Sequence, residues 1–205
     1  MKKNKSSKNW IINQHRDQYF KKAKIEGYRS RAAFKLIEIN SKFNIIKKDS
    51  NLLDLGSCPG GWSQVASKIV SKGKIVSVDI KEMKPINNVK FVKKDFLQEE
   101  SQNFILSYFG KKIDVIISDM AADTTGIKDL DSIRTNLICL EVLDFSSKLL
   151  NSSGNLVSKI FMGQDFELIK KKAKKKFNKV NFYKPESSRS NSKETYIHCK
   201  GLKTL

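Results

Sequence analysis

Cysteine and histidine are scarce in this chain of 205 residues, and acidic side chains are outnumbered by basic ones. The three cysteines, Cys58, Cys139 and Cys199, are far apart, which excludes a disulfide framework and a CxxC site and favours a reducing cytosol. His15 and His198 lack the spacing of a metal site. No apolar run approaches the ~18 residues of a membrane span, and the N-terminus lacks the apolar core of a secretion signal. Membrane insertion and export are therefore not expected.

The charge of the chain is strongly positive and unevenly spread. Lys and Arg number 40 and Asp and Glu number 21, which gives a formal net charge of +19. Residues 1–50 hold 14 basic and 4 acidic side chains, residues 51–164 hold 14 and 13, and residues 165–205 hold 12 and 4. This pattern predicts a nearly neutral ligand chamber flanked by surfaces that bind a polyanion, with RNA or DNA favoured over an anionic membrane. A lysine-rich surface that only keeps the protein soluble is the alternative.

The length of the chain fits one domain with a single core. Residues 1–9 are polar and rich in lysine, which predicts a disordered basic arm, and residues 10–205 are predicted to form one domain. Apolar side chains at spacings of three and four predict helices from about Trp10 to Lys24 and from Ser30 to Phe43, with Ser30 as the N-cap.

Short β-branched runs then alternate with helical segments. The predicted strands are Asn51–Leu55, Lys74–Ile80, Val89–Lys94, Ile113–Ser118, Asn155–Phe161, Lys179–Tyr183 and Thr195–Cys199. The predicted helices between them are Gly61–Ser71, Gln102–Phe109, Asp129–Leu150 and Asp165–Phe177. The order predicts an α/β fold with a seven-stranded, mainly parallel sheet and helices on both faces. Because residues 184–194 are too few for a helical crossover, the last two strands are predicted to form an antiparallel hairpin at the edge.

Ligands of such sheets bind beyond the carboxyl ends of the strands, and the side chains there are polar. The first strand runs into a glycine-rich turn, residues 54–62, in which Gly56 permits a tight turn and Gly60 and Gly61 allow a ligand to approach the backbone. The form is D-x-G-x-x-x-G-G, not the GxGxxG of dinucleotide sites, so the pattern favours a different nucleoside ligand. Each carboxylate at these ends is otherwise an ordinary turn residue or helix cap.

Two further acids suit a nucleoside. Asp79, at the end of the second strand, is placed to accept hydrogen bonds from both ribose hydroxyls. Asp95, after the third strand, is placed to accept from an exocyclic amine. Together with the glycine turn they make a ligand site several times more favoured than a set of unrelated turns.

These residues resemble the cofactor site of class I (Rossmann-like) methyltransferases, and the chain from about Trp10 to Gly201 resembles the bacterial FtsJ/RrmJ family of 23S ribosomal RNA 2′-O-methyltransferases. The resemblance lies in five motifs that occur in the family's order: GYRSRAAFKLIEI (27–39), DLGSCPGGWSQ (54–64), SDMAADTTG (118–126), LVSKIFMG (156–163) and KPESSRSNSKETYI (184–197). It implies S-adenosylmethionine as cofactor and no metal. The implied cofactor-binding residues are Asp54, Gly56, Gly60, Gly61, Trp62, Asp79, Asp95 and Asp119.

The resemblance also implies a catalytic tetrad, which maps onto Lys35, Asp119, Lys159 and Glu194. A lysine inside an apolar parallel strand is costly to bury without a function or a partner, which singles out Lys159 from the residues alone. Methyl transfer to a hydroxyl needs a proton acceptor, and an ordinary lysine is protonated at neutral pH. Burial and a nearby Lys35 are expected to depress the pKa of Lys159 and make it that acceptor, whereas a close Asp119 opposes the shift.

This chain departs from the family pattern at two pairs of residues, and it also contains candidate contacts for RNA. Ser57-Cys58 stands where the family usually has two alanines, and Ala122-Asp123 stands where Pro-Asn is usual. Arg29, Arg31 and Arg189 flank tetrad motifs and are the favoured phosphate contacts. The N-terminal arm and the run 170–176 are further candidates, although a solvated helix face is slightly favoured for the run.

Three functions fit these residues. The favoured one is methylation of a uridine 2′-hydroxyl of 23S ribosomal RNA near the peptidyl-transferase region, in the large ribosomal subunit, as the family resemblance implies. A 2′-O-methyltransferase acting on transfer RNA and a non-catalytic, RNA-binding assembly factor are the alternatives. A monomer in the cytoplasm is expected, with no membrane partner.

Overall fold

The computed structural model describes residues 17–163, 165–190 and 192–203, which form one seven-stranded sheet with helices on both faces. The helices are α1 (Gln18–Ile25), α2 (Ala32–Phe43), α3 (Gly61–Ile69), α4 (Glu99–Phe109), α5 (Lys128–Leu149) and α6 (Phe166–Lys176). The strands are β1 (Leu52–Leu55), β2 (Ile75–Asp79), β3 (Val89–Lys93), β4 (Ile113–Ser118), β5 (Leu150–Phe161), β6 (Phe177–Tyr183) and β7 (Glu194–Leu202). Within these residues we find no helix with the length and hydropathy that crossing a bilayer requires.

The strand order is β3-β2-β1-β4-β5-β7-β6. Strands β1 to β5 pair in parallel, and β7 pairs antiparallel with both β5 and β6. The predicted sheet and its antiparallel C-terminal hairpin are confirmed. We call the edge at which β1 to β5 finish the carboxyl end of the sheet, and the edge at which they start the amino end.

The first two helices begin in different ways. The Asp17 carboxylate caps α1 by accepting from two backbone N–H groups of its first turn, at 3.0 and 3.2 Å. The N-cap of α2 is Arg31, so the prediction of Ser30 is wrong. The Ser30 hydroxyl is buried without a hydrogen bond to any described residue, because it packs against Gly61 instead of turning toward the helix. The predicted arm, residues 1–9, and the predicted start of the first helix lie outside the described residues.

Apolar side chains cover both faces of the sheet. Leu36 of α2 and Val65 of α3 belong to the cluster on one face, and Leu143 of α5 and Ile169 of α6 belong to the cluster on the other. Full burial of such a side chain contributes roughly 1.5–3 kcal/mol, so the two clusters fix the helices on the sheet. This leaves the strand ends, where the polar residues lie, free to form a site.

Gly73, in the turn before β2, is the tightest glycine of the fold. A Cβ added there would lie 1.8 Å from the backbone oxygen of Ser50, and that backbone cannot yield as a side chain can. We expect Gly73→Ala to lower the free energy of unfolding by about 1–3 kcal/mol, measured by denaturant titration. Gly163→Ala is the matched control, since nothing lies within 4 Å of its Cβ position. An equal effect of both changes would contradict the packing argument.

Candidate active site

Four charged side chains from separate parts of the chain meet at the carboxyl end of the sheet. Lys35 Nζ lies 2.6 Å from Glu194 Oε1, and Lys159 Nζ lies 2.8 Å from Asp119 Oδ1 and 3.5 Å from Glu194 Oε2. The antiparallel pairing of β5 with β7 sets Phe161 opposite Glu194, which brings Glu194 beside the strand that carries Lys159. The structure therefore brings together all four residues of the predicted tetrad, here called the charged cluster.

Lys159 is the most enclosed cation of the charged cluster, with 8% of its surface exposed. Its Nζ also donates to the backbone oxygen of Asp119 at 2.9 Å. Burial lowers the pKa of Lys159, but the charges and hydrogen bonds of Asp119 and Glu194 outweigh burial and hold the pKa above the ordinary value. The expectation of a depressed pKa is wrong for this arrangement, because it counted burial and Lys35 and gave too little weight to two carboxylates.

The two carboxylates of the cluster are ionised. Burial raises the pKa of Asp119, but the charges of Lys159 and Lys35 lower it by more than burial raises it, so the pKa lies below the usual range. The pKa of Glu194 is lowered in the same way, with burial opposed by Lys35 and Lys159. The Ser188 hydroxyl adds a hydrogen bond to Glu194 Oε1 at 3.0 Å. Opposite charges in equal number thus stabilise one another in a nearly water-free position.

Tyr196 belongs to this site although the sequence did not single it out. Its hydroxyl donates to Asp119 Oδ1 at 2.6 Å, and its ring lies 5.6 Å from that of Trp62. Burial, followed by the charges of Asp119 and Glu194, raises the pKa of Tyr196 well above 10, so the hydroxyl keeps its proton. The available signal was its place two residues after Glu194 in a strand, which puts both side chains on one face.

A cavity of about 690 Å³ opens beside Asp119 at the same end of the sheet. This volume is within the range of small-molecule sites. Four of the predicted cofactor residues line it: Gly56, Asp79, Asp95 and Asp119. Its apolar lining includes Val78, Phe96, Leu97, Met120, Leu137 and Ile138. Carboxylates and apolar side chains around one cavity suit a ligand that carries hydroxyl or amino groups on a flat, apolar body.

The two acids predicted to bind a nucleoside already hold the backbone. Asp79 accepts from the backbone N–H groups of Cys58 and Lys81, both at 2.8 Å, and Asp95 accepts from that of Leu97 at 2.9 Å. Each carboxylate oxygen has two lone pairs, so both groups retain acceptor capacity toward the cavity. These bonds fix the carboxylates in place before a ligand arrives.

The other predicted cofactor residues, Asp54, Gly60, Gly61 and Trp62, do not line the cavity. A Cβ at Gly60 would lie 2.9 Å from atoms of Arg29, Met83 and Ile86, and one at Gly61 would lie 2.3 Å from Ser30 Oγ. The Trp62 indole N–H donates to the backbone oxygen of Ala32 at 2.8 Å. Gly60 has a φ of +110°, which favours glycine, and both glycines let the side chains of Arg29 and Ser30 pack closely on the turn, so these residues hold the turn in shape.

The three predicted RNA-contact arginines are partly engaged inside the protein. The Arg29 guanidinium donates to the backbone oxygens of Lys84 and Pro85, at 2.6 and 2.7 Å. Arg31 pairs with Asp17 at 2.6 Å, and its side chain is 17% exposed. Arg189 lies 3.7 Å from the same carboxylate and is 47% exposed, so it has the most surface left for a partner.

The departing pair Ala122-Asp123 lies in the cavity wall and is tied to α5. The backbone N–H of Ala122 donates to Thr135 Oγ1 at 3.2 Å, and the backbone oxygen of Asp123 accepts from Arg134 at 3.1 Å. The Asp119 contacts described above are all present. The departure therefore leaves the charged cluster assembled.

Residues 28–202 match the family model described as FtsJ-like methyltransferase. The chain belongs to the FtsJ-like methyltransferase family. The match spans both the charged cluster and the cavity, so the geometry described above is that of an FtsJ-like methyltransferase. The predicted family is confirmed, and with it the assignment of the chain as a methyltransferase.

Similar proteins agree with this membership. The chain is 48% identical to "Ribosomal RNA large subunit methyltransferase E" of Pelagibacter ubique, over 99% of this chain and 100% of that protein. It is 44% identical to the protein of the same name from Rickettsia akari, over 96% of this chain and 89% of that one. A crystal structure of a Plasmodium falciparum protein described as a ribosomal RNA methyltransferase has a TM-score of 0.76 and 33% identity, over 85% of this chain and 98% of that one.

The buried Asp54 carboxyl group should make the stability of this FtsJ-like methyltransferase depend on pH. Burial, opposed by a hydrogen bond from Ser63, raises the pKa of Asp54 from 3.8 to about 7. An acid whose pKa is higher in the folded state stabilises the protein fully below its unfolded pKa and loses that contribution as pH rises through the folded value. We expect the stability of the wild type relative to Asp54→Asn to fall by up to about 4 kcal/mol between pH 4 and pH 8.

Denaturant titrations of both proteins across this pH range measure the effect. The Ser63 hydroxyl lies 2.6 Å from Asp54 Oδ2, and the amide oxygen introduced by Asp54→Asn can still accept from it, so the variant keeps the local packing. A difference in stability that does not change with pH would show that Asp54 is ionised in the folded protein.

Proposed function

We propose that this methyltransferase transfers a methyl group from S-adenosylmethionine to the ribose 2′-hydroxyl of a uridine in large-subunit ribosomal RNA. The observation that carries the proposal is the junction at Asp119, which lines the 690 Å³ cavity and also binds Lys159 at 2.8 Å. A small-molecule site and a buried proton-exchanging cluster thus share one residue. The names of the relatives at 48% and 44% identity, both ribosomal RNA large subunit methyltransferases, support the choice of RNA.

The residues around the cavity fit S-adenosylmethionine. Asp79 offers acceptors for the ribose hydroxyls, Asp95 offers an acceptor for the adenine amine, and Gly56 leaves room beside Met120, since a Cβ there would lie 2.3 Å from Met120 Cγ. Asp119 contributes negative charge where the cavity adjoins the cluster, which favours a cationic ligand. When bound, S-adenosylmethionine supplies a methyl group on a positively charged sulfur. Asp54, Gly60, Gly61 and Trp62 are proposed to support this site by shaping the turn.

Lys159 is the proposed proton acceptor for the 2′-hydroxyl. With both carboxylates in place it is protonated at neutral pH, so it must lose its proton before it can act. A further positive charge beside Asp119 would offset that carboxylate and lower the pKa of Lys159. Neutral Lys159 would accept the hydroxyl proton as the 2′-oxygen takes the methyl group, which bound S-adenosylmethionine would supply while its sulfur kept the electron pair of the carbon–sulfur bond. Lys35 and Glu194, 2.6 Å apart, are placed to position the hydroxyl.

The substrate is proposed to be RNA because the 2′-hydroxyl does not exist in DNA. Arg189, nearly half exposed and next to Ser188, which bonds Glu194, is the proposed main phosphate contact, and Arg29 and Arg31 are proposed to assist it by holding the adjoining loops. We propose residues 10–205 as one methyltransferase domain, residues 1–9 as a basic arm, and a monomer in the cytoplasm as the acting species. The partner is the large ribosomal subunit.

The proposal is tested by incubating the protein with labelled S-adenosylmethionine and large ribosomal subunits that lack the modification. We expect label in the large-subunit RNA, and mapping of the product should place it on one uridine as a 2′-O-methyl group. Transfer to isolated transfer RNA but not to subunits would replace the proposed substrate. Cofactor binding without transfer to any RNA would indicate a non-catalytic binding protein.

A further inference from the structure

Lysines concentrate at the amino end of the sheet, away from the charged cluster. The segments that meet there are residues 47–51, 70–74, 110–114, 148–155, 174–179 and 200–203. Each of them holds at least one lysine, and their only acids are Asp49 and Asp114. We call this surface the basic pole. The sequence showed basic ends and a balanced middle, but the fold brings lysines of both ends and of the middle to one place.

Hydrogen bonds show that these segments are neighbours. The backbone oxygen of Lys48 accepts from the backbone N–H groups of Ser71 and Lys72, at 2.9 and 2.8 Å. Lys112 Nζ donates to the backbone oxygen of Lys148 at 2.6 Å. At the other side of this edge, Lys203 Nζ donates to the backbone oxygen of Lys174 at 2.8 Å. The Asn51 backbone N–H also donates to Asp114 Oδ2 at 2.8 Å, and Asn155 pairs with Lys200, so the six segments form one continuous surface.

The positive charge of the basic pole is poorly compensated. Asp114 is engaged by the side-chain amide of Asn151 at 2.7 Å, which ties strand starts together without neutralising a lysine. Among the ion pairs of the described residues, the basic pole contributes that of Lys176 with Asp144, at 3.1 Å. Its other lysines have no carboxylate within ion-pair distance in the part of the chain that the structure describes.

Two details argue that this surface has a partner and is more than a solvated face. Lys179 and Lys200 lie directly opposite each other on β6 and β7, an arrangement of like charges that destabilises a sheet. A hollow of about 250 Å³ at the same end is lined by Lys72, Lys74 and Lys90. A polyanion would relieve the repulsion and occupy the hollow, whereas solubility alone needs neither feature.

We infer that the basic pole is a second RNA-binding face, which contacts backbone phosphates of the large-subunit RNA while the charged cluster holds the target nucleotide. Strand β4 has 6 residues. A strand of that length spans about 20 Å, so the two faces can contact separate parts of a large RNA. Lysines act as point charges toward phosphates, which gives affinity without sequence preference. The inference rests on the proposed RNA substrate.

RNA is favoured over an anionic membrane by the composition of the basic pole. Surface-bound proteins of membranes insert apolar side chains beside their basic ones. None of the exposed large apolar side chains of the described residues lies in the six segments that define the basic pole. Tyr108 is exposed in the wall of the hollow, but Lys74 lies over its ring, so the six segments offer charge without an apolar anchor of their own.

The test compares two triple variants that remove equal charge. K48Q/K72Q/K174Q alters the basic pole, and K42Q/K68Q/K171Q alters exposed lysines elsewhere, two of which lie over the rings of Tyr183 and Tyr28. Binding to large ribosomal subunits is measured by co-sedimentation across salt concentrations, and methyl transfer is measured at saturating subunits. We expect the first variant to weaken binding about 10-fold and to reduce the salt slope by about 2 to 3, with the saturating rate unchanged. The control variant should lose less than about 3-fold in affinity.

Four outcomes would overturn the inference. Equal losses in both variants would show that net charge, and not its location, sets affinity. A lower saturating rate in the first variant would place these lysines in the catalytic process. Unchanged subunit binding with weaker binding to vesicles of phosphatidylserine and phosphatidylcholine would indicate a membrane partner, and unchanged binding to both would leave the basic pole without a function in binding. Because co-sedimentation needs no methyl transfer, failure of the proposed activity is seen separately, as binding of the wild type without label in the RNA.

Discussion

Replacing Lys159 with methionine should lower kcat for methyl transfer by about 10³- to 10⁴-fold, because the proposed proton acceptor is lost. Methionine resembles the aliphatic part of lysine in length, so packing in β5 is largely kept. The Kd for S-adenosylmethionine should change little, since Lys159 does not line the cavity. Single-turnover transfer to large ribosomal subunits and equilibrium cofactor binding measure the two quantities.

Two further variants separate proton transfer from charge and stability. Lys159→Arg keeps a positive charge between Asp119 and Glu194 but cannot give up its proton, so it should be nearly as inactive while folding normally. Lys172→Met removes a lysine that is ion-paired with Asp144, far from the charged cluster, and should retain the wild-type rate at saturating subunits. Near-normal transfer by Lys159→Met would remove Lys159 from the role of proton acceptor.

Asp119→Asn is expected to lower the maximal rate of methyl transfer and also to move the rise of kcat to lower pH. Its carboxylate contacts Lys159 at 2.8 Å and Tyr196 at 2.6 Å, so its loss should lower the maximal rate about 10²-fold by disturbing the position of the acceptor. The same carboxylate holds the pKa of Lys159 up. Without it that pKa falls, so the rise of kcat with pH should occur at a lower pH than in the wild type.

The pH profile of single-turnover transfer decides between positioning and direct participation. In the wild type, log kcat should rise with pH as Lys159 loses its proton, and the variant should reach its lower plateau earlier. Asp144→Asn is the matched control, because Asp144 also pairs with lysines, at 3.1 Å from Lys176, but lies outside the site. It should leave the profile unchanged. A reduced rate with an unshifted profile in Asp119→Asn would show that Lys159 is not the group whose titration limits the reaction.

Most helices and strands of this protein could be predicted from the local pattern of apolar residues in the sequence. Seven strands and the edge hairpin were predicted because β-branched runs alternate with amphipathic segments, and both periods are visible in one dimension. The start of α2 was missed, since Ser30 has the chemistry of a cap but packs against Gly61. Strand β5 begins at Leu150, five residues before the predicted Asn155, because Leu150 already pairs with Ile113 of β4; the register then shifts before Asn155 pairs with Val115.

The candidate site was predicted in its members but not in its electrostatics. Lys159 could be singled out because a lysine in a buried strand requires a reason, and the family motifs supplied the other tetrad residues. The direction of its pKa shift could not be derived, because it depends on distances to Asp119 and Glu194 that only the pairing of β5 with β7 sets. Tyr196 was missed because an aromatic residue in a strand most often belongs to the core, and its contact with Asp119 is visible only in the fold.

The sequence by itself determined an α/β methyltransferase-like fold, the glycine-rich turn and a large excess of positive charge. Only the tertiary structure decided where that charge lies. Along the chain the middle is balanced, with 14 basic and 13 acidic side chains. In the fold, Asp79, Asp95 and Asp119 gather at the carboxyl end, whereas Lys72, Lys74, Lys112 and Lys148 lie at the basic pole. Parallel strands separate them, because every strand starts at one edge of the sheet and finishes at the other.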